Sequence, residues 1–508
     1  MVGVAALAAG SRRRQRGCLG CGGSARRRRP HLRGRVYRSW RHRRGSGRAT
    51  GGTGVTDHPE QAGAGRVLAL ALPTLGVLVA EPLYVLFDIA VVGRLGALAL
   101  AGLAVGGLVL TQVSTQLTFL SYGTTARSAR RYGAGDETGA IGEGVQATWI
   151  ALVVGGLLAA LVEIFAAPIA TVIAGDSAIA DQAETWLRIA VLGAPLILVT
   201  IAGNGWLRGV QDTARPFAYV LAGLAVSAFL CPFLVHGLAV APQLGLAGSA
   251  VANLAGQMVA AALFLTALVR TGVSLRPRRS VIWAQLRLGR DLIARSLAFQ
   301  ACFLSAAAVA SRFGAASVAA HQVVLQLWNF VSLTLDSLAI AAQTLVGATL
   351  GAGRPTAART LGWRITRWSA AFAVGLAVVF ILGSGVLPHL FTSDGDVIDR
   401  IYVVWWFFVA LMPIAGVVFG LDGVLLGAGD AAYLRTSTLA AAIAGFLPMI
   451  WLSLAFDWGL AGIWTGLALF MIIRMVAVLW RMASGRWAVA GGEVPARRLA
   501  DEGIASER

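Results

Sequence analysis

From residue 66 onward, long apolar stretches alternate with short polar connections along the chain. Twelve of these stretches are about 20 residues long, which is the length that an α-helix needs to cross the hydrocarbon core of a membrane. The pattern predicts an all-α polytopic membrane protein with twelve transmembrane helices. The predicted spans are 67–92, 99–122, 144–167, 184–204, 216–238, 247–269, 290–311, 317–347, 364–388, 400–424, 433–454 and 459–481.

The connections between the spans differ in charge according to their order. The even-numbered connections carry arginines, with five between residues 270 and 287 in the sixth, whereas the ninth carries three aspartates between residues 394 and 399. Positively charged residues favour the cytoplasmic side of a membrane. We therefore predict a multi-pass protein of the inner (plasma) membrane with both termini in the cytoplasm.

Composition supports a membrane location and sets the N-terminal segment apart. Hydrophobic residues make up 57 % of the chain and charged residues only 13 %, with a mean hydropathy of +0.72, whereas an average soluble domain is about 25 % charged. The net charge is +19, but residues 1–56 hold fifteen arginines and no acid, so the remainder carries +4, the difference between 19 and 15. A disordered extension is favoured there over a tail that binds anionic lipid or nucleic acid, and we expect no nucleic-acid partner.

Blocks of sequence recur at a nearly constant shift of 218 residues. The triplet Gly-Ala-Gly at 133–135 recurs at 351–353, and the block GLAG at Gly245 recurs at Gly459 with a shift of 214. Each copy holds six spans, so both copies enter the membrane from the same side, and we predict two six-helix lobes related by a parallel repeat. The predicted domains are an Arg/Gly-rich extension (1–65), an N-terminal lobe (66–270), a cytoplasmic linker (271–289), a C-terminal lobe (290–483) and a cytoplasmic tail (484–508).

The first predicted span contains two acids, Glu81 and Asp88. A bare carboxylate in hydrocarbon costs at least a few kcal/mol, so acids at such positions usually serve a function. Seven residues correspond to about two helical turns, which places both acids on one helix face, with Tyr84 as a candidate hydrogen-bond donor to Asp88. The repeat does not duplicate the acids, because the shift of 218 leads from Asp88 to Ala306. The N-terminal lobe is therefore the candidate ion-coupling half.

Three segments resemble the multidrug and toxic compound extrusion (MATE) transporters. Within that family they are most similar to the branch named after the bacterial damage-inducible protein F. The longest is AAHQVVLQLWNFVSLTLDSLAIAAQTLVGATLGAG at 319–353, and the others are NGWLRGVQDTARP at 204–216 and LDGVLLGAGDAAYLR at 421–435. The resemblance implies twelve helices in two bundles around a V-shaped cavity. It also implies export of organic, often cationic, compounds in exchange for protons or sodium.

Carried over by position, the resemblance implies roles for residues of the first and fifth spans. Asp88 matches the aspartate that binds the coupling cation, and Pro73 matches the proline about which the first helix is proposed to bend. The fifth span of this branch often carries an Asn and an Asp four residues apart, where this sequence has Ser227 and Cys231. Sodium needs several hard oxygen ligands, whereas one acid in an apolar setting suffices for a proton, so the substitution favours proton coupling. Glu81 is either a substitute partner in this site or a carboxyl bonded to a neighbouring helix.

Other polar residues of the spans are candidates to line the cavity, although hydrogen bonding between helices is the preferred interpretation for Gln326, Asn329 and Gln343. These candidates are Ser227, Cys231, Gln326, Trp328, Asn329, Asp336 and Gln343. Asp422 is expected to cap or pack near the end of the tenth span, and His321 to lie at the outer interface. Loop-anchoring charges are expected at Arg208, Asp212, Asp430 and Arg435.

Three functions remain open at this point. An antiporter that exports cationic amphipathic compounds, with a proton or sodium as coupling ion, is favoured. A lipid or lipid-linked precursor flippase is the alternative, but it should have an arginine-lined cavity, and the spans hold few candidates for buried arginines. No motif of a membrane enzyme is present, and the lone CxxC at Cys18 and Cys21 supports neither a metal site nor a disulfide. We expect no cofactor and a monomer in contact with membrane lipid.

The predicted orientation can be tested with single cysteines. A cysteine placed in the 272–286 linker should react with an impermeant thiol reagent only from the cytoplasm, and one placed at 394–399 only from outside, because the arginine bias sets the orientation. Labelling of intact cells and of inverted vesicles measures this. Reversed labelling at the two places would overturn the predicted arrangement of spans.

Overall fold

The computed structural model describes residues 63–237 and 242–494, and within them it contains sixteen α-helices and no β-strand. Helices of the N-terminal lobe are α1 (Ala64–Val92), α2 (Ala97–Gln116), α3 (Phe119–Gly133), α4 (Glu137–Ala174), α5 (Ser177–Val191), α6 (Ala194–Gly209), α7 (Ala214–His236) and α8 (Leu246–Val269). Helices of the C-terminal lobe are α9 (Arg279–Ala310), α10 (Ala315–Gly351), α11 (Pro355–Leu382), α12 (Leu387–Phe391), α13 (Gly395–Ala428), α14 (Ala431–Ala441), α15 (Leu447–Ala455) and α16 (Gly459–Ser484).

Every predicted span falls on one or two of these helices, but their continuity differs from the prediction. The second span, 99–122, is divided between α2 and α3, where the Thr118 hydroxyl donates to the Thr115 carbonyl (2.7 Å) and competes with the helical ladder. The fourth span, 184–204, falls on α5 and α6, which are bent by 49°. Helices α14 and α15 are joined by a π-helical turn (Ala442–Phe446) and together form one span, Ala431–Ala455. With this span, ten helices among the described residues are long and apolar enough to cross a membrane, the bent pair makes an eleventh, and Ala97–Gln112 is apolar but shorter.

The two lobes share a hydrophobic core at one end and have separate cores at the other. We call these the closed end and the open end. Helices α3, α6, α10 and α13 all finish at the closed end, which carries the even-numbered connections predicted to be cytoplasmic. The shared core includes Leu70, Phe119 and Leu198 of one lobe and Leu345, Leu425 and Val478 of the other. The separate cores include Val92, Trp186 and Val235 in the N-terminal lobe, and Trp405, Phe408 and Trp464 in the C-terminal lobe. The lobes therefore diverge towards the open end.

Repeat-related glycines bring the lobes into contact at the closed end. Gly133 of α3 packs against the backbone of Ala348 on α10, and Gly351 of α10 packs against the backbone of Arg130 on α3. A Cβ atom at either glycine would collide with the facing carbonyl oxygen. Positions 130 and 348, like 133 and 351, differ by the repeat shift of 218, so the contact is reciprocal. The glycines shared by the repeats thus permit a close helix crossing.

The segment after α16, residues 485–494, lies against both lobes at the closed end, and we call it the C-terminal strap. Arg130 of α3 is completely buried, and its guanidinium donates four hydrogen bonds of 2.9–3.1 Å to the carbonyls of Ala428, Val489, Gly491 and Glu493. The Gly491 amide donates to the Leu350 carbonyl of α10 (3.1 Å). The start of the predicted tail is thus an ordered part of the lobe interface.

The other predicted polar segment is also more structured than expected. Helix α9 begins at Arg279, inside the predicted linker 271–289. Before it, the amide of Arg278 donates to the Gln146 side chain of α4 (2.7 Å), and Gln146 in turn donates to the Arg276 carbonyl (3.1 Å). The connection between the lobes is therefore fastened to the N-terminal lobe by backbone hydrogen bonds, which composition alone does not indicate.

The strap should contribute measurably to stability through Arg130. Arg130→Gln should lower the free energy of unfolding by about 2 kcal/mol or more, because each hydrogen bond to a charged group contributes about 1.5–3 kcal/mol. Arg188→Gln is the matched control, since the ion pairs of Arg188 with Glu163 and Glu184 are partly exposed, whereas Arg130 is completely buried, and exposed pairs contribute little. Chemical unfolding in detergent measures both variants. Equal losses in the two variants would show that the strap is not an energetic part of the interface.

Candidate functional site

Asp88 lies on α1 in the N-terminal lobe with its side chain turned towards α7 and α8. It is 6 % exposed. The Cys231 thiol of α7 donates to its Oδ1 (3.1 Å), and the Ser249 hydroxyl of α8 donates to its Oδ2 (2.9 Å). Each carboxyl oxygen thus has one neutral donor, from a different helix. Asp88 belongs to none of the ion pairs found in the described part of the chain.

Two further hydrogen bonds support this arrangement. The Trp186 indole of α5 donates to the Ser249 hydroxyl (3.3 Å) and so orients it. One helical turn before Asp88, the buried Ser227 hydroxyl donates to the Tyr84 hydroxyl (2.6 Å). Tyr84 and Asp88 are four residues apart, as are Ser227 and Cys231, so α1 and α7 meet through two successive turns.

The predicted hydrogen bond from Tyr84 to Asp88 is absent from the hydrogen bonds of the described residues. The Tyr84 hydroxyl instead accepts from Ser227 and lies beside Asn253 of α8. It remains next to the carboxyl without touching it. Ser227 and Cys231 also depart from expectation, because both are buried against α1 and do not line an open cavity. Their side chains are the contacts that tie α7 to the first helix.

Ser249 is the residue of this site that the sequence analysis missed. It follows the repeated GLAG block, and the local shift of 214 places Ile463 at the corresponding position of the other lobe. A polar residue in one repeat whose equivalent position in the other repeat is apolar could therefore have identified Ser249. The same comparison singled out Asp88, whose counterpart Ala306 is buried in the C-terminal core.

Glu81 does not join the Asp88 site. Its side chain is exposed and has no hydrogen bond or ion pair with any residue in the parts of the chain that the structure describes. The sequence predicted that Glu81 and Asp88 lie on one face of α1. In the structure Tyr84 and Asp88 are buried against α7, whereas Glu81 is not. The role of Glu81 as a partner stays a prediction without a contact to support it.

Pro73 lies within α1, which runs through it and through Pro82 without a break. Proline has no amide hydrogen, so the carbonyl of Ala69 loses its helical partner. The Thr213 hydroxyl, just before α7, approaches that carbonyl at 3.4 Å. This leaves the helix only weakly held at the position where bending is predicted.

At the position that corresponds to the Asp88 site by the repeat, the C-terminal lobe has a mostly apolar pocket. Ala306, Ile463 and Trp464 surround His321, which is 3 % exposed and has no hydrogen-bond partner for either ring nitrogen among the described residues. The prediction that His321 lies at the outer interface is wrong, because α10 begins six residues earlier and carries it into the core. The neighbours of His321 are apolar apart from the Trp464 indole.

A second polar cluster lies between the lobes. The Tyr122 hydroxyl of α3 donates to Asp336 Oδ2 of α10 (2.6 Å), and the Gln343 amide donates to the Tyr122 carbonyl (2.7 Å). In the C-terminal lobe, Arg295 and Arg474 both donate to Asp422 Oδ2. Asp422 is therefore held in a buried ion triad and does not cap a helix.

Arg208 of α6 belongs to this second cluster and does not anchor a loop. It is 5 % exposed and lies within electrostatic range of Tyr122 and Asp336. The predicted spans do hold few buried arginines, since among the described residues only Arg474 is fully buried in a span and Arg295 is partly buried. What the expectation missed is that Arg208, which lies beyond the predicted fourth span, approaches the same region as these two. A count by span could not reveal this convergence, because the three arginines come from three different helices and Arg208 lies outside the predicted spans.

The remaining candidates are placed as follows. Trp328 packs within the C-terminal core, so it does not line a cavity. Gln326 and Asn329 lie on an exposed face of α10 and bond to each other (3.4 Å). The predicted anchoring charges form ion pairs close to helix ends, namely Asp212 with Arg215, Asp430 with Arg481, and Arg435 with Asp291.

Comparison with known proteins gives consistent matches across both lobes. A family model described as MatE matches residues 73–233 and again residues 292–452. The two matches start 219 residues apart, the difference between 292 and 73, which confirms the internal repeat.

Two curated relatives and one solved structure illustrate the similarity. "Protein DETOXIFICATION 44, chloroplastic" of Arabidopsis thaliana is 32 % identical over 461 residues, covering 85 % of either chain. "DNA damage-inducible protein F" of Escherichia coli (strain K12) is 30 % identical over 439 residues, covering 83 % of this chain and 93 % of the relative. A crystal structure of MATE in the bent conformation has a TM-score of 0.75 at 21 % identity, covering 84 % of this chain and 96 % of that one. At that identity the structural likeness establishes the fold.

Proposed function

The chain belongs to the MatE family, and from that premise we propose that it is a secondary active antiporter that exports organic, cationic amphipathic compounds in exchange for protons. Members of this family are multidrug efflux transporters and not enzymes. The observation that carries the proposal is the environment of Asp88, a buried carboxyl with two neutral donors and no cationic partner among the described residues.

A comparison of the side chains that contact each acid supports a proton site at Asp88. Asp422 is bonded to Arg295 and Arg474, whose charges balance that of its carboxylate. Asp88 has only a thiol and a hydroxyl, and these neighbours stabilise the charged form far less than a guanidinium does. Four carboxyls are buried in the described ranges, those of Asp88, Glu143, Asp291 and Asp422, and only Asp88 has no ion pair. Asp88 is therefore the one best suited to gain and lose a proton during transport.

The same donor set favours a proton over sodium. A sodium ion at Asp88 would have the carboxylate and the Ser249 hydroxyl as hard oxygen ligands, but the other side chain bonded to the carboxyl is the soft sulfur of Cys231. The nearby Tyr84 hydroxyl is already engaged by Ser227. Hard cations prefer a shell of several oxygen ligands. A proton needs only one acceptor oxygen, which Asp88 supplies.

Protonation would change how α1 is held. Hydrogen bonds to a charged carboxylate are roughly twice as strong as those between neutral groups. A neutral Asp88 would therefore hold Cys231 and Ser249 less firmly, and α1 could shift at Pro73, where its ladder is already interrupted. The shift would narrow the space between the lobes and expel a bound cation. Exchange of substrate for proton follows, because the charged acid favours the cation and the neutral acid does not.

The arrangement of the lobes supports alternating access. They share a core only at the closed end, so the space between them faces the open end, which is the outside in the predicted orientation. Opening to the cytoplasm requires separation of the α3–α10 crossing and release of the strap. Two packed arrangements of the same lobes would then expose the substrate to each side in turn.

A lipid or lipid-linked precursor flippase remains the second candidate. The observation that favours it is the group of arginines between the lobes, which the sequence analysis had not expected. Such a group suits a phosphate. The antiporter is preferred because it also explains the buried acid Asp88, which has no cationic partner in the described part of the chain.

The proposal predicts that Asp88→Asn abolishes efflux driven by a pH gradient. The amide cannot exchange a proton near neutral pH, while its size and hydrogen-bonding capacity should preserve folding. Glu81→Gln is the matched control and should retain efflux, because Glu81 is exposed and unbonded within the described chain. Fluorescent-cation efflux from proteoliposomes, with pH and sodium gradients imposed separately, measures both variants.

The two gradients separate the outcomes. Wild-type efflux should rise as the side facing the open end is acidified and should not respond to sodium. Proton-driven efflux by Asp88→Asn, with Glu81→Gln inactive, would move the coupling role to Glu81. Efflux driven by sodium alone would show the choice of ion to be wrong.

A further inference from the structure

The polar residues between the lobes form a group that the coupling mechanism does not use. We call Tyr122, Arg208, Arg295, Asp336, Asp422 and Arg474 the interlobe cluster. Its members come from both lobes and from six helices, α3, α6, α9, α10, α13 and α16. Charged residues brought together from such distant parts of the chain inside a membrane protein call for a partner or a ligand.

The cluster lies at the level where the two lobes separate. On α10, Leu335 belongs to the separate C-terminal core and Leu338 to the shared core, so Asp336 lies at the junction. On α13 the same change occurs between Val418 and Leu421, next to Asp422. The cluster therefore forms the base of the space between the lobes, with Asp336 and Tyr122 only half-buried.

The cluster has more donors than its own acceptors satisfy. Three guanidinium groups face two carboxylates, for a net charge of +1. The Arg208 guanidinium donates no hydrogen bond to any described residue, and Nε of both Arg295 and Arg474 is buried without a partner in the same ranges. One acceptor of the cluster, Oδ1 of Asp422, is also buried without a partner, so the unpaired donors outnumber the unpaired acceptors. Burial of an unpaired charge is costly. An additional acceptor carrying negative charge would complete the cluster.

We propose that the interlobe cluster binds an acid group, a carboxylate or a phosphate, of the molecule that the protein transports. Arg208 and Arg295 are the residues that bind it. Both lie within electrostatic range of Asp336 and Tyr122, so their side chains converge from opposite lobes. The planar guanidinium matches the geometry of carboxylate and phosphate oxygens.

Arg474 has a supporting position behind Arg295. Its guanidinium bonds to Asp422 and lies over the rings of Phe299 (4.8 Å) and Phe470 (5.8 Å). It is therefore fixed in place and balances Asp422. Arg295 also bonds to Asp422 and lies over Phe299 (5.6 Å), but its side chain is 16 % exposed against 2 % for Arg474, so Arg295 is the accessible arginine of the triad. Asp336 has one oxygen engaged by Tyr122, and this reduces its repulsion of an incoming anion.

This inference rests on the proposed transport function and narrows its substrate class. A molecule that fits has an organic body and an acid group, as a zwitterionic amphiphile does. The ligand would bridge Arg208 of one lobe and Arg295 of the other, so its binding would depend on the distance between the lobes. A purely cationic compound would gain nothing at this position.

A pair of dyes that differ in one acid group tests the proposal. Rhodamine B carries a carboxylate, and rhodamine B ethyl ester lacks it. The purified full-length protein in detergent should bind rhodamine B more tightly than the ester, as measured by fluorescence anisotropy. Arg208→Gln and Arg295→Gln should each weaken rhodamine B binding by about tenfold or more, the lower range for a hydrogen bond to a charged group, and leave ester binding unchanged.

Arg481→Gln is the matched control, because Arg481 pairs with Asp430 outside the cluster. It should leave the binding of both dyes unchanged. Size-exclusion profiles establish that each variant is folded, and Arg295→Gln carries the test if Arg208→Gln does not fold. Competition by dihexanoyl phosphatidylglycerol would identify the acid group as that of a lipid headgroup, whereas competition by benzoate alone would identify a small carboxylate. Either result supports the proposal.

Equal affinity for the two dyes, unaffected by either arginine variant, would overturn it. The measurement uses no ion gradient, so a failure of proton-driven efflux at Asp88 would leave this result unchanged. Conversely, normal proton-driven efflux of both dyes with no arginine dependence would refute the acid-binding site while the antiporter proposal stands.

Discussion

The crossing of α3 and α10 at Gly133 and Gly351 is the contact on which the arrangement of the lobes depends. A side chain at either position would hold the backbones apart, and the shared core at the closed end would lose its packing. Because the crossing is confined to the helix ends, the lobes are free to diverge beyond it. The same close approach buries Arg130, whose charge is tolerated only because the strap and α13 offer carbonyl oxygens to it. The α3–α10 crossing and the C-terminal strap are therefore parts of one interface between the lobes.

The buried acids divide according to what faces them. Asp422 has two arginines within bonding distance, and Asp336 has a tyrosine donor and two arginines nearby. These acids balance charge in the interface. Asp88 faces a thiol and a hydroxyl, which leaves its charge uncompensated in an apolar lobe. Position in the fold alone does not distinguish these acids, since all three lie within membrane-length helices, whereas the charge of their neighbours does.

The length of the apolar stretches predicted the helices, because a membrane span must satisfy its own backbone and needs about 20 apolar residues. Blocks of sequence that recur at a constant shift predicted the repeat. The apolar stretches also identified Asp88, since an acid in such a run is conspicuous. They did not identify the partners. Arg295 and Asp422 are 127 residues apart and meet only through packing of the lobe. His321 was misplaced for a related reason, because distance along the chain from a span end does not measure depth when the helix extends beyond the apolar run.

Helix α1 connects the two halves of the mechanism. Its first turns, at Val67 and Leu70, pack in the shared core, whereas its last residue, Val92, packs in the separate core of the N-terminal lobe. Pro73 lies between these regions, on the side of the shared core, and Asp88 lies near the other end. A change in how firmly Asp88 holds α7 and α8 therefore acts on a helix whose opposite end is part of the lobe interface. Ion binding at one end of α1 can in this way alter the packing that keeps the other end closed, with no need for direct contact between the proton and the substrate.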